Sequence, residues 1–229
     1  MNTSEDTTAQ FTFDKFYIEE RPSFYDFLHS GWQINLTVAI DFTASNGPVG
    51  YPDSLHYVDR TGRLNQYQSA LYSIGGILEN YDSDNLIAAF GFGGIPQKGL
   101  AKEVSHCFHL NGFEQPEWKG LQGLMEAYNF SLANVKLYGP TYFSPWIETF
   151  VTFVQENLST PLYHILLIMT DGDIHDMDKT KDLIVAASLL PISIIIVGIG
   201  DENFELMVEL DGDEQVLRSS NGNNSISFL

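Results

Sequence analysis

Two aspartates stand directly after apolar runs that are typical of buried strands. Asp41 ends the first run, and Asp171 comes shortly after a second run that covers residues 163–169. A carboxylate at the end of a buried strand lies at the rim of the core, where it needs a partner to offset the loss of water. A bound cation is one such partner, so these two positions predict a metal site.

Hydroxyl side chains follow the first of these aspartates. Thr43 and Ser45 stand at alternate positions after Asp41, so a turning loop can bring both hydroxyls to the same side. Carboxylate, hydroxyl and water oxygens suit a hard cation such as Mg2+ or Mn2+ in octahedral geometry. Taken alone, Thr43 and Ser45 are more typical of turns, in which such residues bond to their own backbone.

The elements that must position these residues alternate between strands and helices. Apolar residues at every second position, or in short unbroken runs, predict strands at residues 34–40, 86–92, 104–110, 163–169 and 192–197. Apolar residues at three- and four-residue spacing predict helices at residues 67–81, 121–135, 147–154 and 178–188. This alternation is typical of a doubly wound α/β fold, a mostly parallel sheet with helices on both faces. Ligands bind such sheets beyond the carboxyl ends of the strands, where both aspartates are expected.

The sequence around these residues resembles a known kind of metal site. The segment from Asp41 to Ser45 resembles the first loop of the metal-ion-dependent adhesion site (MIDAS) of von Willebrand factor A-type domains, with Thr43 where many such domains have serine. Residues 138–141 (YGPT) and 170–172 (TDG) resemble its second and third loops, in the same order. The resemblance narrows to the copine family through the segments 38–47 (VAIDFTASNG), 53–57 (DSLHY), 81–84 (YDSD), 90–93 (FGFG), 137–141 (LYGPT), 194–198 (IIIVG) and 208–212 (VELDG). It covers about residues 24–218.

The copine resemblance implies a set of five metal-binding residues: Asp41, Thr43, Ser45, Thr141 and Asp171. In this family the hydroxyls usually contact the metal, the aspartates often act through water, and one coordination position stays open for a carboxylate from a partner. The implied cation is Mg2+ or Mn2+, with Ca2+ as an alternative, and no catalytic residue is implied. Thr141 follows a proline and could instead, or in addition, cap the helix that is predicted to begin near residue 143.

The function implied by this resemblance is a divalent-cation-dependent protein-interaction domain, not an enzyme. Its partner would be a protein that offers an Asp or Glu to the metal, with Asn46, Tyr142 and Asp173 shaping specificity. Copines are linked to calcium-dependent phospholipid binding and membrane signalling through modules that do not occur in this sequence. We expect residues 1–30 to be a lead-in or linker and residues 31–229 to be the von Willebrand factor A-type (copine) domain. Two alternatives stay open: the A domain of a copine-related RING ubiquitin ligase, and a metal-dependent hydrolase that uses the same aspartates.

Charge and cysteine content narrow the possible partners and compartments. Asp and Glu number 30 against 11 Lys and Arg, which gives a formal net charge of -19. Such a field repels phosphate backbones and anionic bilayers, so we expect no nucleic-acid binding and no direct membrane binding by this chain alone. Cys107 is the only cysteine, so no internal disulfide is possible and a reducing compartment is expected. We therefore expect a cytoplasmic location, peripheral at the inner face of the plasma membrane if lipid-binding modules are attached.

Two other motifs do not support a site. The glycines at residues 91–94 are followed by Lys98 without the spacing of a phosphate-binding loop. His106, Cys107 and His109 could suggest zinc, but on a strand His106 would point away from the other two.

Overall fold

A computed structural model of the chain describes residues 22–78, 84–97, 103–211 and 216–220. Its helices and strands, in chain order, are α1 (Phe24–His29), β1 (Gln33–Asp41), a 3-10 turn (Ala44–Asn46), α2 (Gln66–Leu78), β2 (Leu86–Phe92), β3 (Gly94–Pro96), β4 (Phe108–His109), β5 (Glu117–Lys119), α3 (Gly120–Asn134), β6 (Val135–Leu137), α4 (Ser144–Glu156), β7 (Leu162–Thr170), α5 (Met177–Ala187), β8 (Ile192–Gly198) and α6 (Glu205–Asp211). None of the described helices has the length and apolar character needed to cross a membrane.

A mostly parallel sheet forms the centre of the fold. Its strand order is β4-β2-β1-β7-β8, and β5 also pairs with β2. The pairs β1–β2, β1–β7 and β7–β8 are parallel, whereas β4 and β5 run antiparallel to β2. Ile40 lies opposite Met169 in the β1–β7 register. The ends of β1 and β7 are therefore neighbours, which brings Asp41 and Asp171 to the same edge of the sheet.

Helices cover both faces of this sheet because alternate residues of its strands point to opposite sides. Ile34, Leu36, Val38 and Ile40 of β1 join a core cluster that contains residues from α2 and α3. Ala39 of β1 joins a second cluster, which contains residues from α4, α5 and α6. The predicted doubly wound α/β fold is confirmed by this arrangement.

A small second sheet carries the chain toward the strand ends. It pairs β3 with β6 in antiparallel orientation, with Gly94 opposite Leu137. Just beyond it, Tyr138 forms an isolated parallel bridge with Thr43. Neither short strand could be predicted from the sequence, because three residues are too few to display a periodicity. This ribbon guides the segment 138–141 alongside the loop that follows β1.

The structure corrects one predicted strand and adds a short helix. The strand predicted at residues 104–110 is limited to β4, because Ser105 bridges to Gly94 of the small sheet instead of continuing along β2. Helix α1 lies within the predicted lead-in, and Phe27 packs its ring 5.2 Å from that of Tyr163. The boundary predicted at residue 31 stays a prediction. The predicted helix end at residue 81, most of the segment 81–84, Lys98, residue 212 and residues 1–21 lie outside the described residues.

Candidate metal centre

The first predicted metal loop is held by hydrogen bonds to Asp41. Its Oδ1 accepts from the Thr43 backbone amide at 2.8 Å and from the Thr43 hydroxyl at 2.6 Å. Its Oδ2 accepts from the hydroxyl of Thr170 at 2.8 Å. The hydroxyl oxygens of Thr43 and Ser45 lie 2.8 Å apart. Two carboxylate oxygens and three hydroxyls therefore form one connected group at the ends of β1 and β7.

The second predicted loop lies directly against the first. The backbone amide of Ala44 donates to the carbonyl of Tyr138 at 2.7 Å, and the amide of Tyr138 donates to the carbonyl of Phe42 at 3.2 Å. Thr141 follows three residues later and is 2% exposed. These backbone bonds place its segment beside the loop that carries Thr43.

The third predicted loop joins the other two. Asp171 follows directly after Thr170, whose hydroxyl bonds to Asp41. Further along this loop, the amide of His175 donates to the carbonyl of Thr141 at 2.9 Å. The fold therefore brings together the three loops that contain the five residues predicted from the sequence.

The two aspartates are buried next to each other, and this raises the pKa of both. Burial raises the pKa of Asp41, the charge of Asp171 raises it further, and hydrogen bonds from Thr43 and Thr170 partly offset these effects. Burial also raises the pKa of Asp171. The Ser45 hydroxyl and a backbone amide lie close enough to offset part of that increase, but neither meets hydrogen-bond geometry with Asp171. Both groups therefore resist ionisation while the site lacks a positive charge.

Asp171 provides the test of whether a cation fits here. Both of its carboxylate oxygens are buried, and neither has a hydrogen-bond partner in the described part of the chain. Buried polar atoms of this kind are rare in folded proteins and need an explanation such as an ion. No cluster of three or more His, Cys, Asp or Glu side chains suited to a metal occurs among the described residues. A cation at this edge would depend on two carboxylates together with hydroxyl oxygens, a donor set that suits Mg2+ or Mn2+.

A buried histidine, His56, hydrogen-bonds to the backbone at the start of the first predicted metal loop. His56 Nε2 lies 2.8 Å from the carbonyl oxygen of Asp41, and its Nδ1 lies 2.8 Å from the hydroxyl of Tyr128. Since a carbonyl can only accept, Nε2 carries the proton and Nδ1 accepts from Tyr128. The ring is stacked between Phe42 and Tyr67, with centroid distances of 5.3 and 4.2 Å. Burial lowers the pKa of His56 to about 3, so it is neutral at physiological pH.

Asn46 was predicted to shape partner specificity, and the structure contradicts this. Its side chain is 1% exposed, so it cannot contact a partner. Its Oδ1 accepts from the hydroxyl of Tyr67 at 2.7 Å, and its Nδ2 donates to the Thr43 carbonyl at 3.3 Å. Asn46 therefore braces the first loop. By contrast, Asp173 is exposed and Tyr142 is half-buried, and their predicted role stays a prediction.

Some supporting residues could not be predicted from the sequence. Thr170 and His56 bond to Asp41 across 129 and 15 residues, and Tyr67 bonds to Asn46 across 21 residues. Of these residues, only Thr170 has a local sequence signal, because it stands directly before the strand-end Asp171. His106 and His109, which the sequence did not support as zinc ligands, pack against different aromatic rings. His106 packs on Tyr142, and His109 packs against Phe90.

The helix-capping role that the sequence left open for Thr141 belongs to another residue. Helix α4 begins at Ser144, and its first amides, those of Phe143 and Ser144, donate to the carboxylate of Asp176. Thr141 is thus not needed as a cap. Its hydroxyl stays a candidate ligand.

The fold and the oxygen-rich strand ends define a doubly wound α/β domain of the kind that binds ligands at the edge of its sheet. The Copine family model matches residues 54–226, a range that includes Thr141 and Asp171 but begins after the first predicted metal loop. Two Arabidopsis thaliana relatives, Protein BONZAI 2 and Protein BONZAI 1, are 48% and 46% identical to this chain over 218 residues. That match covers 93% of this chain and 37% of each relative. The chain belongs to the copine family and spans about 37% of the length of the curated relatives it matches.

Two solved structures are similar in fold. Manganese-loaded Plasmodium vivax TRAP protein has 14% identity and a TM-score of 0.49, with 79% of this chain and 63% of that chain covered. Proximal thread matrix protein 1 from the mussel byssus has 14% identity and a TM-score of 0.41, with 78% and 41% covered.

Proposed function

We propose that this copine-family domain binds one divalent cation, Mg2+ or Mn2+, at Asp41, Thr43, Ser45, Thr141 and Asp171, and thereby holds a protein partner. The observation that carries the proposal is the pair of buried oxygens on Asp171, which have no hydrogen-bond partner among the described residues and lie close to a second buried carboxylate. A bound cation would neutralise this pair and offer an open position to an Asp or Glu of the partner.

The residues of the proposed site have different roles. The carboxylate of Asp41 accepts from Thr43 and Thr170, so its role is to supply charge in a fixed orientation. The hydroxyl proton of Thr43 is donated to Asp41, so its oxygen would act as an acceptor toward a cation in place of its present contacts with Ser45 Oγ and Asn46 Nδ2. Asp171 contributes two buried oxygens that make no hydrogen bond within the described part of the chain.

The same contacts argue for binding and against catalysis. A hydrolase would need a group near the metal that can take a proton from water. His56 is the histidine that lies against Asp41, and both of its ring nitrogens are engaged, one with a backbone carbonyl and one with Tyr128. His56 therefore cannot serve as that base, and this favours an interaction domain over a hydrolase that would use it. No observation favours the RING ligase alternative.

The setting in which this domain acts is also a proposal. With a net charge of -19, the chain is unsuited to nucleic acid or to direct contact with anionic membranes. We place it in the cytoplasm, at the inner face of the plasma membrane when lipid-binding modules accompany it, and we take any calcium-dependent phospholipid binding to belong to those modules.

The cation is tested by thermal melting with and without Mg2+ or Mn2+. At about a hundredfold excess over the dissociation constant, binding should raise the free energy of unfolding by roughly 2.7 kcal/mol. Asp171→Asn keeps the shape of the side chain but removes its charge, and it should abolish the response. Glu148→Gln, the same change at an exposed position on α4, should leave the response intact. An equal response in wild type and Asp171→Asn would contradict the proposal.

A further inference from the structure

Asp176 makes a contact that joins two of the metal loops. It lies in the loop after β7, five residues beyond Asp171, and is half-buried. Its Oδ1 accepts from the backbone amide of Phe143 at 3.0 Å, and its Oδ2 accepts from the amide of Ser144 at 2.8 Å. The partners are 33 and 32 residues apart in sequence, so this is a tertiary contact and not a local turn.

This carboxylate replaces the local cap that helix α4 lacks. The N-cap residue Phe143 has no side chain able to bond to the first amides, and no side-chain cap is present. Unsatisfied amides at a helix start attract a negative charge, because the helix dipole is positive there. Asp176, which lies in a different loop, supplies both the hydrogen-bond acceptors and the negative charge. The orientation of α4 is thereby tied to the segment that follows β7.

A second bond reinforces the same junction. The amide of His175 donates to the carbonyl of Thr141 at 2.9 Å. The loop of Asp171 therefore holds the loop of Thr141 on both sides of Tyr142: by a backbone bond before it and by the Asp176 carboxylate after it. The relative position of the two candidate ligands Thr141 and Asp171 depends on bonds that neither ligand side chain makes.

We propose that Asp176 is a positioning residue for the metal site, which fixes the Thr141 loop against the Asp171 loop through α4. This inference rests on the proposed function. Asp176 lies outside the five residues of the proposed site, and its two oxygens accept from backbone amides of Phe143 and Ser144. Residues that hydrogen-bond directly to metal ligands contribute about 10- to 100-fold to metal affinity, and we expect Asp176, which acts through the backbone, to fall at the lower end of that range.

The test compares two aspartates that make similar contacts in different places. Asp176→Asn replaces one accepting oxygen with an NH2 group, so that one amide of α4 loses its partner. Asp182 is a matched control, because its oxygens accept from the amide and the hydroxyl of Ser220 at 2.6 and 2.7 Å. Affinity for Mg2+ and Mn2+ alone is measured by calorimetric titration of the wild type, Asp176→Asn and Asp182→Asn, well below the melting temperature of each.

We expect Asp176→Asn to weaken cation binding by roughly 10-fold or more, and Asp182→Asn to change it by less than about twofold. If Asp176→Asn lowers only the melting temperature and leaves cation affinity unchanged, Asp176 is a helix cap. That result would overturn this inference but not the proposed function. Equal weakening by both variants would also overturn it. A wild-type chain that binds neither cation would overturn the proposed function together with it.

A second variant keeps the test decisive if Asp176→Asn does not fold. Asp176→Glu retains both accepting oxygens and the charge on a side chain one methylene longer, so α4 stays capped while the spacing of the loops changes. We expect a folded protein whose cation affinity is between those of the wild type and a site without Asp171. Wild-type affinity in Asp176→Glu would show that charge at the helix start suffices, and the positioning role would be wrong.

Discussion

At the scale of single residues, the buried carboxylates of the site lower the stability of the fold unless a ligand compensates for them. Asp171 is buried beside Asp41, and in the part of the chain that the structure describes its oxygens make none of the hydrogen bonds that buried carboxylates normally have. Replacing such a group with a neutral one is a small change that selection for stability would favour. Groups that break the local rules of packing and hydrogen bonding are typical of functional sites. The strand-end pair is therefore better explained by a ligand than by the architecture of the sheet.

His164 lies in β7, far along the strand from the metal loops, and makes stability depend on pH. It is 2% exposed and its Nδ1 has no partner within the described residues. Burial lowers its pKa to about 4, below its ordinary value of 6.5. Between these pH values the unfolded chain binds more protons than the folded one. The contribution of His164 to stability is complete above about pH 6.5 and is lost as the pH falls toward 4, by roughly 2 to 3 kcal/mol.

His164→Leu should therefore flatten the pH dependence of stability in this range. Urea unfolding is measured at intervals from pH 7 to pH 4 for the wild type, for His164→Leu and for His29→Leu, which makes the same change at an exposed histidine. The pH dependence of His29→Leu should follow the wild type. A slope in His164→Leu as steep as that of the wild type would contradict the assignment. His56 is present in all three proteins, so it cancels in the comparison.

The two aspartates could be predicted from the residues because each follows a strand with a clear apolar pattern, whereas Thr141 was reached only through the resemblance to the copine family. Asp41 and Asp171 end apolar runs, and parallel strands bring their carboxyl ends to one edge. The residues that hold these ligands could not be predicted. Thr170 and His56 reach Asp41 only after the chain has folded, and Asn46 lies in a loop position that gives no sign of its burial.

At the scale of elements, the long ones were predicted, whereas of the short strands only β4 lies within a predicted strand, that at residues 104–110. The strands β1, β2, β7 and β8 and the helices α2 to α5 each bury a repeated apolar pattern, which the sequence displays directly. The two- and three-residue strands and α1 have no such pattern, and tertiary pairing decides where they begin and end. The ribbon of β3 and β6 is the important omission, since it leads the Thr141 loop to the first metal loop.

Helix α2 braces the first metal loop through Tyr67, and this can be tested by removing one hydroxyl. Tyr67→Phe leaves the Oδ1 of Asn46 without its donor, while the ring can still stack on His56. We expect a loss of stability of about 1 to 3 kcal/mol, because a buried acceptor is left unsatisfied. We also expect weaker Mg2+ affinity, because Asn46 is then free to move away from Thr43. Urea unfolding in chelator and calorimetric titration measure the two effects.

Tyr163→Phe is a matched control for that variant. It removes a hydroxyl that lies 2.7 Å from the Oγ of Ser193, in a part of the sheet that has no contact with the metal loops among the bonds described. It should lower stability without changing Mg2+ affinity. If Tyr67→Phe and Tyr163→Phe bind Mg2+ as well as the wild type does, the link from α2 to the metal loop is wrong.

At the scale of the whole molecule, the chain is strongly acidic and matches only part of its relatives. It carries 11 basic against 30 acidic residues and spans about 37% of the curated copine-family relatives. One bound divalent cation would offset two of the net -19 charges. The field around the domain would stay negative, so the open position of the cation would be the attractive point for an acidic group. Such a group would have to come close, since salt screens charges beyond about 8 Å.

Vesicle sedimentation tests whether this chain acts on proteins or on lipids. Its negative field and scarce basic residues offer little attraction to anionic headgroups, to which clusters of Lys and Arg normally bind. We expect the chain to stay in the supernatant with phosphatidylserine vesicles, with or without Ca2+. Vesicles of phosphatidylcholine alone give the background, and Asp41→Ala separates an effect of the metal site from general adhesion. Sedimentation of the wild type that needs Ca2+ and is lost in Asp41→Ala would show that the site bridges to lipid phosphate, and the proposal of a protein partner would then be wrong.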